Sequence, residues 1–484
     1  MGRENKMKKL ILILVLALTA LTINAQKVDR SNPPEMPPPK GLQLPAVQEF
    51  NLQNGLKVYL MEKHQVPLIQ LNLILKTGSL NDPEGKEGLT DIVFDMLDEG
   101  AGGMNALQIA DEIDFLGANL NIGSSLFTSS IGLNVPVSKF NDALKIVSKI
   151  LLEPDFPDAE LARLKKERLT TLMQWRDQPN AIARVAFNKL LFGSHPYGKV
   201  EIGTEESIKS FTTEDIRNYY NKYFAPDNSF IVAVGDIDKQ KLEKLLNEYF
   251  SEWNKKGENN LKTETPRNSN AGKIFLIDKP GAAQSVIYIG DIAPSRTTPD
   301  YFSIGVMNTI LGGSFTSRLN NNLREEHGYT YGAGSRFIFR PVGGFFIAYS
   351  SVQTEVTDKA LQEFFKELNG IRRPIPSEEI NRAKNYTALG YPNNFQTVSG
   401  IAGELEELVY YNLPKDYFNK YIDNILSVKD EEVNIAARKY INPDKMLVVI
   451  VGDKARIAEG IKKLNLGEVI EMNVDDVLGK APEM

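Results

Sequence analysis

Two stretches of this chain occur twice. "KYFAPDNSFIVAVGD" at residues 222–236 returns as "KYINPDKMLVVIVGD" at 439–453, an offset of 217, and "PDAELARLKK" from Pro157 is echoed by "PSEEINRAKN" from Pro376 at nearly the same offset. A period this long means duplicated domains, not a solenoid of short units, so what one half folds into the other must fold into as well. Within each half, β-branched runs such as "LIQLNLILKTG" and "FIVAVGD" alternate with helical stretches such as "DALKIVSKILLEP". Each half is therefore expected to be α+β, a mixed β-sheet packed with helices, with the strand order left open.

Length agrees with duplication. At 484 residues the chain exceeds what one hydrophobic core usually supports, and 42% hydrophobic with 24% charged residues suits packed domains and excludes a disordered chain. The polar segment "NKKGENNLKTETPRNSN" (254–270), with a single Leu, reads as a linker between an N-terminal domain at 46–253 and a C-terminal domain at 271–465. The acidic, Pro-containing tail at 466–484 receives no assignment.

Ahead of the first domain, Arg3, Lys6, Lys8 and Lys9 precede the apolar run "LILILVLALTALTI" and a cleavage-like Asn24-Ala25-Gln26, the pattern of a signal peptide over 1–25. "SNPPEMPPPKG" then gives 26–45 the character of an extended, Pro-rich leader. Cleavage would remove those four cations and Glu4, a net +3, and take the formal charge from −6 to −9. That balance argues against nucleic acid or an anionic membrane surface as partner. With no Cys there are no disulfides and no thiolate chemistry. The expectation is a periplasmic or secreted protein without stable membrane insertion once the signal is removed.

The segment "GLTDIVFDML" (88–97) raises a chemical question. Leu89, Ile92, Val93, Met96 and Leu97 form the apolar face of a helix, yet Asp91 and Asp95 share a face at i,i+4, where like charges repel. The same spacing is how a helix presents two metal ligands. With Asp98 one turn on, the pair reads as an acidic stripe lining a cavity or a partner surface. The three histidines suggest no ligand set: His64 follows a strand, His195 lies in "SHPYG" and His327 in "EEHGYTYG", no two at helical ligand spacing. Each reads as a hydrogen-bonded loop residue.

Three longer stretches, "EGLTDIVFDMLDEGA", "FGSHPYGKVEIGTEESIKSFTTEDIRNYYNKYFAPDNSFIVAVGDID" and "LGGSFTSRLNNNLREEHGYTYGAGSRF", resemble in order the signatures of the M16 family of zinc metallopeptidases. This is the insulinase or pitrilysin-like group that includes the mitochondrial processing peptidase subunits. The resemblance runs from about Phe50 to Asp453 and implies a linked pair of homologous α+β domains. In the family's active members the helix at Gly88 reads G-L-x-H-x-x-E-H. Two imidazoles bind the metal, the Glu between them is the general base, and a distant Glu completes the ligands. Here Asp91 and Asp95 occupy the histidine positions, Phe94 the base position, and Thr170 and Thr171 in "ERLTTLMQW" stand where the third ligand should be. Phe94 cannot take a proton from water, so the resemblance implies a chain with no catalytic residue and no metal ligand of its own.

The C-terminal half tells a different story. A stretch resembling "LREEHGYTYG" supplies, in active enzymes of the family, an Arg and a Tyr that reach the substrate at the zinc from the second domain; both are kept, as Arg324 and Tyr331. A guanidinium fork can hold a peptide carbonyl or carboxylate, and a phenol can donate to a developing oxyanion. The turn Gly312-Gly313-Ser314 precedes them, and the strand "AAQSVIYIG" (282–290) is read either as an edge for strand addition by a peptide or as an ordinary core strand. In two-chain members of the family one subunit brings the zinc motif and its partner brings the Arg/Tyr pair. The resemblance therefore implies a substrate-binding subunit: its ligand is a peptide, its partner a homologous subunit bearing H-x-x-E-H, and zinc, the only cofactor, resides in that partner. The alternative left open is a peptide-binding or structural scaffold without peptidase activity.

Overall fold

The computed structural model describes residues 41–258 and 263–482. The signal-peptide segment 1–25 and leader residues 26–40 lie outside the described residues. Where the leader enters them, Leu42 and Leu44 rest against the C-terminal half, and Leu44 N–H donates to Asn419 Oδ1 at 3.3 Å.

The N-terminal half contributes β1 (Gln48–Asn51), β2 (Lys57–Glu62), β3 (Leu68–Leu75), a hairpin of two-residue strands β4 (Gly100–Ala101) and β5 (Met104–Asn105), then β6 (Asn119–Ser124), β7 (Ser129–Pro136) and β8 (Ser229–Gly235). Apart from the hairpin these form a sheet in the order β1-β2-β8-β3-β7-β6. The C-terminal half contributes β9 (Lys273–Asp278), β10 (Gln284–Ala293), β11 (Thr330–Ile338), β12 (Gly344–Gln353), β13 (Leu447–Gly452) and β14 (Glu468–Met472), in the order β11-β12-β10-β13-β9-β14. Five strands of each sheet correspond one to one in both chain order and sheet order. β2 pairs parallel with β8 as β9 does with β13, and the remaining pairs among the five are antiparallel. The duplication read in the sequence is thus a duplication of topology. The sixth strands differ: β1 is antiparallel to β2, whereas β14 is parallel to β9.

The near-continuous apolar runs of β8 and β13 follow from burial on both faces. In the N-terminal sheet Ile69, Leu71, Leu73 and Leu75 face that half's own helices, whereas Ile74, Phe230, Val232 and Val234 face the other way and join the core of the C-terminal half. That second face is covered by helix Val398–Tyr410, from the C-terminal half. The exchange is reciprocal, because helix Pro179–Phe192 of the N-terminal half packs Ile182, Val185, Ala186 and Phe187 against Val286, Ile347, Val449 and Val451 of the C-terminal sheet. The two halves accordingly belong to one compact unit beginning at Gly41.

The structure places three segments that the sequence left open or only named. The strand at 282–290 is no edge: β10 lies between β12 and β13, so the core-strand reading holds, and β11, β14, β1 and β6 are the edges. The C-terminal segment, left unassigned by the sequence, is built into the fold over 468–478: β14 adds the sixth strand, and Val477, on the following turn Val474–Leu478, is 1% exposed against helix Pro179–Phe192. The linker is tied to the domains on both sides of residues 259–262. Gly257 N–H donates to Asp227 (2.9 Å), His195 Nε2 to Glu264 O (2.8 Å) and Asn270 Nδ2 to Leu190 O (2.8 Å).

Candidate functional site

Helix Leu89–Asp95 is only seven residues long, and its placement is set from outside. Gly88 precedes it at φ +90°, where a Cβ would sit 2.5 Å from Ile202 O, so glycine alone lets the helix begin against the 202–203 loop. Asp82 accepts from the N–H groups of Gly88 (2.8 Å) and Thr90 (2.7 Å) and from the Thr90 hydroxyl (2.6 Å), capping the helix from a neighbouring loop. Burial pushes its carboxyl up to about 7, against the pull of those donors. Phe94, in the base position, is fully buried and stacks on Phe224 with ring centroids 5.0 Å apart.

Asp91 and Asp95 close on a cation. Arg168, from helix Asp158–Trp175, donates through Nη1 to Asp91 Oδ2 at 2.7 Å and through Nη2 to Asp95 Oδ2 at 2.5 Å. Ser124, at the end of β6, donates to the other oxygen of Asp91 at 3.0 Å. The repulsion expected at i,i+4 is cancelled by a guanidinium fork held between the two carboxylates. The acidic stripe of the sequence reading is therefore corrected for these two residues: they form an ion-paired clasp. Arg168 is 4% exposed, and its Nε has no hydrogen-bond partner. Burial raises the Asp95 carboxyl, opposed by Arg168 and reinforced by Asp91. Asp98, outside the clasp, is pushed up to about 6 by burial together with Glu99 and Asp95.

Sequence reasoning passed over Arg168, although it lies in the same "ERLTTLMQW" segment as the expected third-ligand position. It sits one helical turn before Thr171. The hydroxyls of Thr170 and Thr171 bond back to their own helix, at Lys166 O (2.9 Å) and Glu167 O (3.0 Å). A dication between the aspartates would meet the guanidinium, and it would find carboxylates and no imidazole. No group of three or more His, Cys, Asp and Glu among the described residues is placed to hold a metal ion. The residues at this position do not fit zinc.

The histidines stand apart from this site and from one another. His64 bonds Asp236 (2.6 Å) and Glu62 (3.3 Å), the first of which chiefly raises its pKa. His195 accepts from Tyr197 N–H at 3.2 Å through Nδ1, and Tyr197 donates its hydroxyl to Val342 O at 3.1 Å. His327 stacks on Tyr329 with centroids 4.9 Å apart.

Arg324 and Tyr331 lie at the edge of the C-terminal sheet. Arg324 belongs to a π-helical segment, Asn321–Glu326, where the wider winding departs from α geometry. Its guanidinium lies 4.7 Å over the exposed Phe315 ring and pairs with Glu325 at 3.2 Å. Tyr331 sits in a β-bulge of edge strand β11, where the register with β12 shifts between Thr330 and Ala333. The bulge projects its ring into solvent, 93% exposed. Gly312 packs against β11, since a Cβ there would lie 2.3 Å from Ser335 N. The structure thus gathers Arg324, Tyr331 and Phe315 in one region of the C-terminal half, with no hydrogen bond or ion pair to the aspartates of the N-terminal half.

Fold and site together define a class: a duplicated α+β scaffold whose helix at the position of the family's zinc motif carries a salt-bridge clasp in place of a zinc-ligand set. Comparison with known proteins places it further. Residues 57–204 match the family described as Insulinase (Peptidase family M16), and residues 210–387 match the Peptidase M16 inactive domain. The chain belongs to the M16 family. It is 24% identical over 438 residues to the "Non-peptidase homolog YmxG" of Helicobacter pylori, covering 86% of this chain and 96% of that one. It is 20% identical over 405 residues to the "Zinc protease PqqE" of the same organism, covering 80% and 89%. Among solved structures, a peptidase M16 inactive domain from Pseudomonas fluorescens aligns with a TM-score of 0.79 at 28% identity, over 84% of this chain and 97% of that one.

Proposed function

We propose that this chain is a non-catalytic, substrate-positioning subunit of a heterodimeric periplasmic zinc peptidase of its family. Inert alone, it brings Arg324 and Tyr331 to a peptide held at the zinc of a homologous partner bearing H-x-x-E-H. The observation that carries the reading is the contrast between its two sites. Where a catalytic member would hold metal, Arg168 satisfies both Asp91 and Asp95 and leaves Phe94 in place of a base. Where a member would reach the substrate, Tyr331 is 93% exposed and its hydroxyl is free of any hydrogen bond within the described residues. A phenol left unpartnered in solvent suits a donor used by a ligand rather than by the fold. Support also comes from the occurrence in one organism, H. pylori, of relatives called a non-peptidase homolog and a zinc protease.

The test is an affinity capture of the tagged mature protein from periplasmic extract, followed by size exclusion and mass spectrometry. Co-elution of a homologous chain with intact H-x-x-E-H is the expected result. In the assembled enzyme, R324A and Y331F should each lower turnover about tenfold or more without dissociating the pair, the scale of losing one transition-state donor. Recovery of the chain alone, or full turnover in both variants, would reject the subunit reading in favour of a scaffold.

A further inference from the structure

Two further exposed arginines, Arg184 and Arg336, form no ion pair among the described residues. Helix Asp158–Trp175 carries Arg168 and Trp175 seven residues apart, hence on one face and about 10 Å from each other along the axis. Arg184, on helix Pro179–Phe192, places its guanidinium 4.8 Å over the Trp175 ring. On the C-terminal sheet, Tyr288 of β10 pairs directly across from Tyr349 of β12, their rings 6.4 Å apart, and Arg336 of β11 lies 5.4 Å over Tyr349. The two arginines flank this surface: Phe187, one helical turn from Arg184, meets the Tyr288 ring edge-on at 5.9 Å, and Arg336 stands over the neighbouring Tyr349; both guanidinium groups pull the Tyr288 phenol down against the burial that raises it. Arg184, Arg336 and Tyr349 are exposed, and neither arginine forms an ion pair or hydrogen bond among the described residues. The anionic group that feels Arg184 is Glu201, which also feels Arg340 and Asp91.

We propose that Arg184 and Arg336, set over the shelf of Trp175, Tyr288 and Tyr349, bind the carboxylate of an acidic side chain in an extended peptide. The chemistry is complementary: two guanidinium forks, planar by resonance, offer paired N–H donors, and the rings beneath them hold their orientation. The assignment rests on the peptide-positioning reading and adds a residue class to it: an Asp or Glu in the bound peptide.

The test uses the full mature chain and fluorescence anisotropy with a labelled ten-residue peptide that carries one central Glu and an amidated C-terminus. Changing that Glu to Gln should weaken binding about tenfold, the loss of one charge-assisted pair. R184A and R336A should each weaken the Glu peptide and leave the Gln peptide unchanged, with circular dichroism confirming that both variants are folded. Equal affinity for the two peptides overturns the carboxylate assignment while leaving the subunit reading intact. Tighter binding of the same peptide made with a free C-terminus, whether Glu or Gln stands at its centre, overturns it in favour of a terminal carboxylate. No peptide binding at all also overturns it, and capture of the zinc-bearing partner then decides the subunit reading separately.

Discussion

Arg168 is the residue on which the site turns. Asp91, Phe94 and Asp95 were legible because the family's motif is contiguous, and three substitutions within five residues can be read directly. Arg168 was not, because it reaches Asp95 from 73 residues away and nothing local in "ERLTTLMQW" says which way its side chain points. Its contribution is set by what its loss would leave behind. With Arg168→Met, two partly exposed carboxylates face each other uncompensated, and the chain should lose about 2 kcal/mol of stability in chemical denaturation, below the range for a fully buried pair. Adding Asp95→Asn to that variant should restore part of the loss, because the repulsion goes with the charge. A double variant as unstable as Arg168→Met would show that the arginine acts through packing alone.

At the scale of elements, β-branched runs and a helical stretch marked β3, β8 and helix Phe140–Leu152 where they occur, but not their neighbours. "AAQSVIYIG" has the same β-branched character whether it lies at an edge or in the centre, and only pairing with β12 and β13 on its two sides puts it in the centre. The acidic C-terminal segment shows the converse. Its sequence looks unpromising, yet parallel pairing with β9 and the burial of Val477 make it structural. Lys189 Nζ donates to Val477 O at 2.6 Å, and Arg176 Nη1 to Gly479 O at 2.6 Å, so the segment is fastened to the N-terminal half. Val477→Asp would bury an unpaired carboxylate and should cost about 2–3 kcal/mol. Limited proteolysis should then cut first within 468–482, whereas an unchanged digestion pattern would mean that the anchor does not hold the segment.

Across the whole molecule, the duplication suggests two domains that fold independently, and the reciprocal helix exchange says otherwise. Helix Val398–Tyr410 covers the N-terminal sheet and helix Pro179–Phe192 covers the C-terminal one, so a separated half would expose a broad apolar sheet face. Residues 41–253 and 271–482, expressed separately, should each lack the sharp unfolding transition of the intact chain and should regain it when mixed. Calorimetry of the two fragments, alone and combined, checks this; two independent cooperative transitions would refute it.

The sequence by itself determined the duplicated α+β class, the family and the absence of imidazoles and a base on the helix at Gly88, because each is written in contiguous residues or in a repeat. Tertiary structure alone decided that Arg168 sits between the aspartates, that β10 is central, that the C-terminal segment completes a sheet, and that each half covers the other. Those facts are contacts between residues far apart in the chain. Side-chain direction and strand neighbours follow from the global packing of apolar faces, and local pattern does not encode which distant face will cover them.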